Sequence, residues 1–117
     1  MNEIQLKNRT KEFAKNIIKL CRKLPNNREG RLIGDQLFRS GTSVAANYRA
    51  ACRGRSKAEF VSKLAIVEEE ADESMLWLEL IKEMRISGES LVDDLIKESD
   101  EIVAIAVSSI KTTKKNR

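Results

Sequence analysis

The sequence predicts an all-α protein, an antiparallel up-down-up-down four-helix bundle. Three observations lead there. Helix breakers are few, with one Pro and five Gly in 117 residues that are otherwise rich in Lys, Glu, Leu, Ile and Ala. Apolar residues recur in alternating steps of three and four, the spacing of one helix face. The main stop signals, Pro25, Gly54 and Gly88, cut the chain into four segments joined by short turns, as antiparallel neighbours require. No internal repeat supports a helical-hairpin array instead. At this length the chain reads as one domain, residues 1–117.

The first helix is expected over residues 3–24, where Leu6, Thr10, Phe13, Ile17, Leu20 and Leu24 form one face. Pro25 and the following "NNREG" end it. The second is expected over 28–53, with Asn27 as its N-cap and a face of Ile33, Leu37, Ser40 or Gly41, Val44, Tyr48 and Ala51. Gly30, Gly34 and Gly41 each weaken it by up to ~1 kcal/mol relative to Ala, so it depends on tertiary packing. In "GRSKAEF", Gly54 suits a left-handed C-terminal cap, and Ser56 with Glu59 has the S-x-x-E form of a capping box. The third helix, 57–86, presents Phe60, Leu64, Val67, Ala71, Ser74, Leu78 and Ile81, and Gly88 stops it. Ser87 or Ser90 can cap the fourth, 90–113. Its stripes are Leu91, Leu95, Ile102, Ala106, Ser109 and Thr113, and beside them Val92, Ile96, Val103 and Ile110. The tail "KTTKKNR" is expected to fray.

Composition excludes several function classes. There is no His, which removes the commonest general base, the commonest metal ligand and the usual partner of a Ser or Cys nucleophile. Helical di-iron sites built on Glu-x-x-His are excluded with it. We therefore expect no catalytic residue and no cofactor. The acidic run "VEEEADE" has no matching ligands on another segment, so no metal site is expected either. Cys21 and Cys52 lack metal-ligand spacing and read as reduced, partly buried thiols. No apolar run approaches the ~20 residues that span a bilayer, and "MNEIQLKNRTKEF" lacks the apolar stretch of a signal peptide. The expectation is a cytoplasmic protein with no membrane partner.

The third and fourth helices carry more apolar residues than one core needs. Val61, Ala65, Met75, Leu76, Trp77, Leu80 and Met84 lie off the main stripe of the third, as do Ile105 and Val107 on the fourth. A monomeric bundle should have a polar outer face, so this surplus predicts self-association.

Charge is divided along the chain. Residues 1–57 hold 14 Lys/Arg and 4 Asp/Glu, whereas residues 58–117 hold 8 and 14, which hides beneath an overall net of +4. One explanation is internal pairing. Folding the second and third helices about residues 54–55 sets residue i opposite about 109 − i, which brings Arg39 to Glu69, Glu70 and Glu73, with Ser43 and Asn47 on the same side. These six are expected as inter-helix polar pins. The other explanation is a phosphate-binding surface, for which cations at a helix start suffice. The candidates are Arg49, Arg53, Arg55, Lys57 and Lys63, with the first helix adding Lys7, Lys11, Lys15, Lys19, Arg22 and Lys23.

The run "LFRSGTSVAANYRAACRGRSKAEFVSKLAIVEEEADESMLWLELI", residues 37–81, resembles the signature of the 23S rRNA intervening-sequence proteins. The positions that carry the likeness include Arg39-Ser40, Ser43-Val44, Ala46-Asn47, Ala51, Arg53, Ser56-Lys57, Phe60, Lys63-Leu64, Glu68 to Glu70, Asp72-Glu73 and Trp77. The preceding "LCRKLPNNREGRLIGDQL" fits the family's first connection. The resemblance implies a small bacterial four-helix bundle of unknown function, a homopentamer. Related retroelement accessory proteins form basic barrels that bind nucleic acid and a reverse transcriptase, so RNA, DNA and a nucleic-acid-processing enzyme are the partners it implies. It supplies no catalytic residue. This chain departs from those relatives in its acidic second half, and in Arg49, where the family is often acidic. Residues and resemblance together predict a non-enzymatic, self-associating, nucleic-acid-binding accessory protein. The alternative is a structural scaffold or protein-interaction ring with no nucleic-acid role.

Overall fold

A computed structural model describes residues 1–116 and contains four helices: α1 (Glu3–Arg22), α2 (Arg28–Cys52), α3 (Lys57–Glu83) and α4 (Ser90–Lys115). They run alternately up and down in a rod of 49 × 20 × 19 Å. Each consecutive pair packs along its length, and α1 closes against α4 over a much smaller seam. Among the described residues there is no strand.

Local chemistry sets the starts. Asn2 caps α1 in a full capping box: its Oδ1 accepts from Gln5 N–H at 2.8 Å, and Gln5 Oε1 accepts from Asn2 N–H at 3.0 Å. Asn27 accepts from Gly30 N–H at 2.9 Å, as its position before α2 predicts. Ser56 accepts from Glu59 N–H at 3.1 Å, but Glu59 reaches past the cap and accepts from Arg55 N–H at 2.6 Å. The expected box is thus displaced by one residue on its return arm. Helix α4 starts at Glu89 without a side-chain cap, because Ser87 accepts from Glu89 N–H at 3.2 Å and Ser90 is already helical.

The ends correct two expectations. Gly54 is not left-handed, since no glycine has positive φ among the described residues. Its smallness matters instead: a Cβ there would lie 3.1 Å from Ala51 O and 3.3 Å from Glu59 Cβ, where α2 turns into α3. Gly88 does not stop α3 either, and nothing crowds it. The helix ends at Glu83 through a Schellman motif, in which Ile86 N–H donates to Ile81 O at 2.9 Å and Arg85 N–H to Lys82 O at 3.1 Å. Arg85 takes the left-handed position, at φ 55°. Ile86 folds back onto the core, the apolar contact that accompanies this motif.

The core is built from the faces that spacing predicts, with local rotation. Helix α1 buries Leu6, Thr10, Phe13, Ile17 and Leu20, and α3 buries Leu64, Val67, Ala71, Ser74, Leu78 and Ile81. Leu24 and Phe60, at the ends of those stripes, are half-buried. Helix α4 buries Val92, Leu95, Ser99, Ile102 and Ala106, a line that crosses between the two predicted stripes. On α2 the buried face starts at Gly30 and Gly34, and Ile33 is only half-buried. At Gly41 a Cβ would sit 2.7 Å from Ile17 Cγ1, so this glycine is the α1–α2 contact. The intrinsic cost of glycine in α2 is offset by that close approach.

Off-core apolar residues remain exposed to differing degrees. Leu32 and Phe38 on α2, Leu76 on α3 and Met84 just past its end are the large apolar side chains left in water, apart from Met1 and Ile4 near the chain start. Cys21 and Cys52 are free and half-buried, and burial pushes the Cys21 thiol up to about 11. No helix among the described residues is long and apolar enough to cross a membrane.

Candidate nucleic-acid interface

The antiparallel topology gathers four chain segments at one end of the rod: the start of α1, the end of α2, the start of α3 and the end of α4. One recess there is lined by Glu3 and Leu6 of α1, Tyr48 of α2, Phe60 of α3 and several residues of α4 between Ala104 and Thr113. Lys57 Nζ donates to the Asn116 carbonyl, which ties the α3 start to the α4 tail.

This end is strongly basic. The outermost two turns of the four helices here, with residues 53–56, hold ten Lys/Arg (Lys7, Arg9, Arg49, Arg53, Arg55, Lys57, Lys63, Lys111, Lys114, Lys115) and two acids, Glu3 and Glu59. The equivalent turns and linkers at the opposite end hold seven Lys/Arg and six Asp/Glu. The asymmetry of the molecule is therefore between its ends as well as between its chain halves.

All five candidate cations lie at this end. Arg49, Arg53, Arg55 and Lys57 are exposed and Lys63 is half-buried. Among the described residues none of the five has a carboxylate partner. Glu59, the nearest acid in sequence, is engaged by the Arg55 backbone N–H. Arg53 and Lys63 share a shallow groove with Ala50, Gly54, Ala58 and Ser62 across the α2–α3 corner. Small residues at that corner leave Arg53 exposed. The sequence reading missed Lys111, Lys114 and Lys115, because it counted the second half of the chain as acidic.

Other cations are occupied. Arg9 forms a two-armed ion pair with Glu98, at 2.6 and 2.7 Å, and also reaches Glu101 at 2.9 Å, clasping α1 to α4. Glu98 holds the Arg9 guanidinium charged against the opposing effect of burial. On α1 and at its C-cap, Lys7, Lys15 and Lys23 pair with Glu3, Glu12 and Glu89, while Lys11, Lys19 and Arg22 are exposed without a carboxylate partner among the described residues.

The polar pins divide. Arg39 of α2 donates to Glu70 of α3 at 2.8 Å and to Glu73. Trp77 Nε1–H donates to Glu73 at 3.0 Å, and this bond, ahead of the one from Arg39, holds the Glu73 carboxyl below the usual range against the effect of burial. Ser43 and Asn47 do not cross to α3. Asn47 Nδ2 donates to the Ser43 hydroxyl at 2.8 Å and to the Ser43 carbonyl at 3.0 Å, one turn earlier on the same helix. Glu69 points into solvent with no ion pair among the described residues. The buried polar link between α2 and α3 is instead Ser40 to Ser74, whose hydroxyls share a hydrogen bond at 2.9 Å. Both serines sit on core-facing positions, which was the available signal.

Fold and site thus define an antiparallel four-helix bundle with one basic end and, among the described residues, no group of three or more His, Cys, Asp or Glu side chains that could hold a metal ion. The chain belongs to the 23S rRNA-intervening sequence protein family, which matches residues 2–108. It is also similar to a crystal structure from Bacteroides thetaiotaomicron, a protein of unknown function from the S23 ribosomal protein family. That structure is 34% identical, with a TM-score of 0.86, and the match covers 95% of this chain and 99% of that one. No curated protein matches.

Proposed function

We propose that this bundle binds RNA or DNA through phosphate contacts at its basic end, as a non-enzymatic accessory protein. The observation that carries the reading is the set of exposed cations on four chain segments, with Arg49, Arg53, Arg55 and Lys63 lacking carboxylate partners among the described residues. Unpaired cations are the groups that release counterions from a phosphate backbone when they dock. Their distribution suits backbone contact, which positions a nucleic acid without reading its bases. Titration of labelled duplex and single-stranded RNA and DNA at low salt tests it. Binding that weakens steeply with added salt is the expected result, and no binding to any of the four ends the proposal.

Self-association belongs to the same reading. Its support is the exposure of Leu32 at 55% and Phe38 at 45% on α2, Leu76 at 48% on α3 and Met84 at 65% at the cap of α3. A second copy is the occupant we propose for that surface, in the homopentamer that the family resemblance implies. Light scattering measures it directly: a monomer at micromolar concentration ends this part of the proposal. The partner would be a nucleic-acid-processing protein such as a reverse transcriptase, and co-purification tests that. The scaffold alternative needs the basic end neutralised by acids of another copy, and it predicts an oligomer that high salt dissociates.

A further inference from the structure

The recess at the basic end has properties that phosphate binding alone does not need. It measures about 600 Å³, within the range of ~300–1,000 Å³ in which small-molecule sites fall. Leu6, Phe60 and Ile105 supply apolar walls. Ser108, Ser109, Thr112 and Thr113 line one side with hydroxyls, which both donate and accept hydrogen bonds. Thr113 Oγ1 spends its proton on Ser109 O at 2.8 Å and keeps its lone pairs. The one carboxylate of the lining, Glu3, lies 3.5 Å from Lys7 Nζ.

The recess is also flanked by cations. Lys57 lies one turn before Phe60 on α3. A second groove, which shares Ala104, Ser108 and Thr112 with the recess, adds Lys111 and Lys115. A flat heteroaromatic ring with polar edges suits such walls, and a phosphate on either side of it meets a lysine. A base paired and stacked inside a duplex cannot enter, whereas an unpaired base can, with Phe60 as its stacking partner.

We infer that this recess, between Phe60 and the hydroxyl side of α4, accepts an unpaired nucleobase of a single-stranded nucleic acid. The inference rests on the proposed phosphate-binding function and deepens it, from backbone contact to a preference for single strands. Hydroxyls, unlike the bidentate side chains that distinguish bases, accept either edge polarity, so the preference is for an exposed base over none, with little sequence selectivity.

The test uses the unmodified protein and three labelled probes of equal length: a single strand, a single strand in which every position is abasic, and a duplex. The abasic strand keeps the phosphates and removes the bases. At fixed salt, the single strand is expected to bind roughly tenfold or more tightly than the abasic strand. A Phe60→Leu variant, which keeps the apolar volume, should lose most of that advantage and leave abasic binding unchanged. Loss of both together would mean structural damage alone and would overturn the assignment of Phe60 as the stacking residue. Equal affinity for single strand and abasic strand, or tighter binding to the duplex, overturns the recess proposal and leaves phosphate binding standing. Binding to none of the probes at low salt overturns both.

Discussion

Neutralising Arg53 and Arg55 together, as R53Q/R55Q, should flatten the salt dependence of nucleic-acid binding more than it lowers affinity at any one salt. Eight cations at the basic end lack a carboxylate partner among the described residues: Arg49, Arg53, Arg55, Lys57, Lys63, Lys111, Lys114 and Lys115. They surround the rod end, so one duplex cannot meet all of them. With about five engaged, log K falls with log salt at a slope near −4.5, and affinity drops about 500-fold from 50 to 200 mM salt. Removing two contacts brings the slope to about −2.7 and the drop to about 40-fold. Fluorescence anisotropy across that salt range, with one duplex and an unrelated second, measures both slopes. The loss should be equal for the two sequences, since phosphate contacts carry no sequence information. The control is K11Q/K19Q, which removes two exposed, unpaired lysines from α1 away from the corner. If that variant flattens the slope and R53Q/R55Q does not, the reasoning has chosen the wrong surface.

Three further outcomes concern the frame that holds this end. Arg85→Gly should stabilise the protein by about 1 kcal/mol, because a non-glycine residue at φ 55° carries a steric cost of roughly that size; thermal unfolding should rise by about 4 °C. Ser74→Ala should cost about 1 kcal/mol by leaving the buried Ser40 hydroxyl without its partner across the helix pair, and adding Ser40→Ala should cost less than the sum; urea unfolding of the double-mutant cycle measures the coupling. Trp77→Phe removes the chief donor that holds Glu73 ionised. A carboxyl depressed in the folded state stabilises above its unfolded value, near 4.5, and that contribution is lost as pH falls through the folded value. The penalty of Trp77→Phe should therefore be larger at pH 7 than at pH 3, by roughly 1 kcal/mol after allowance for solvent screening, whereas its packing loss is common to both.

The helical faces were legible because burial imposes a period. Leu64, Val67, Ala71, Ser74, Leu78 and Ile81 repeat at steps of three and four, and all six are buried. Legibility failed where two stripes lay side by side. On α4, Leu91 and Val92 are both apolar, and tertiary packing buries Val92 while Leu91 stays half-buried. The end of α3 was misread because Gly88 is the residue type that favours a left-handed cap, while Arg85, three residues earlier, occupies the conformation. Propensity identifies the residue that would adopt it cheaply. The closing contact of Ile86 on the core decides where it is adopted.

The site was half legible for a different reason. A helix corner is local, so Arg53, Arg55 and Lys57 declare themselves in five residues of sequence, and small residues line the groove beside Arg53. Lys111, Lys114 and Lys115 lie more than fifty residues away in an acidic half of the chain, and their contribution depends on topology. An even number of antiparallel helices returns the C-terminus to the end from which the N-terminus starts, and the α2–α3 turn lies at that same end. Most acids of α3 and α4 fall elsewhere: Glu70 and Glu73 meet Arg39 midway along the rod, while Glu98 and Glu101 reach only Arg9 at the margin of the basic end. Internal pairing and a free basic surface, which compete as explanations of one charge split, therefore apply to different parts of one rod. Ion pairs take up Glu70, Glu73, Glu98 and Glu101 along its length, and eight cations at its end have no carboxylate partner among the described residues.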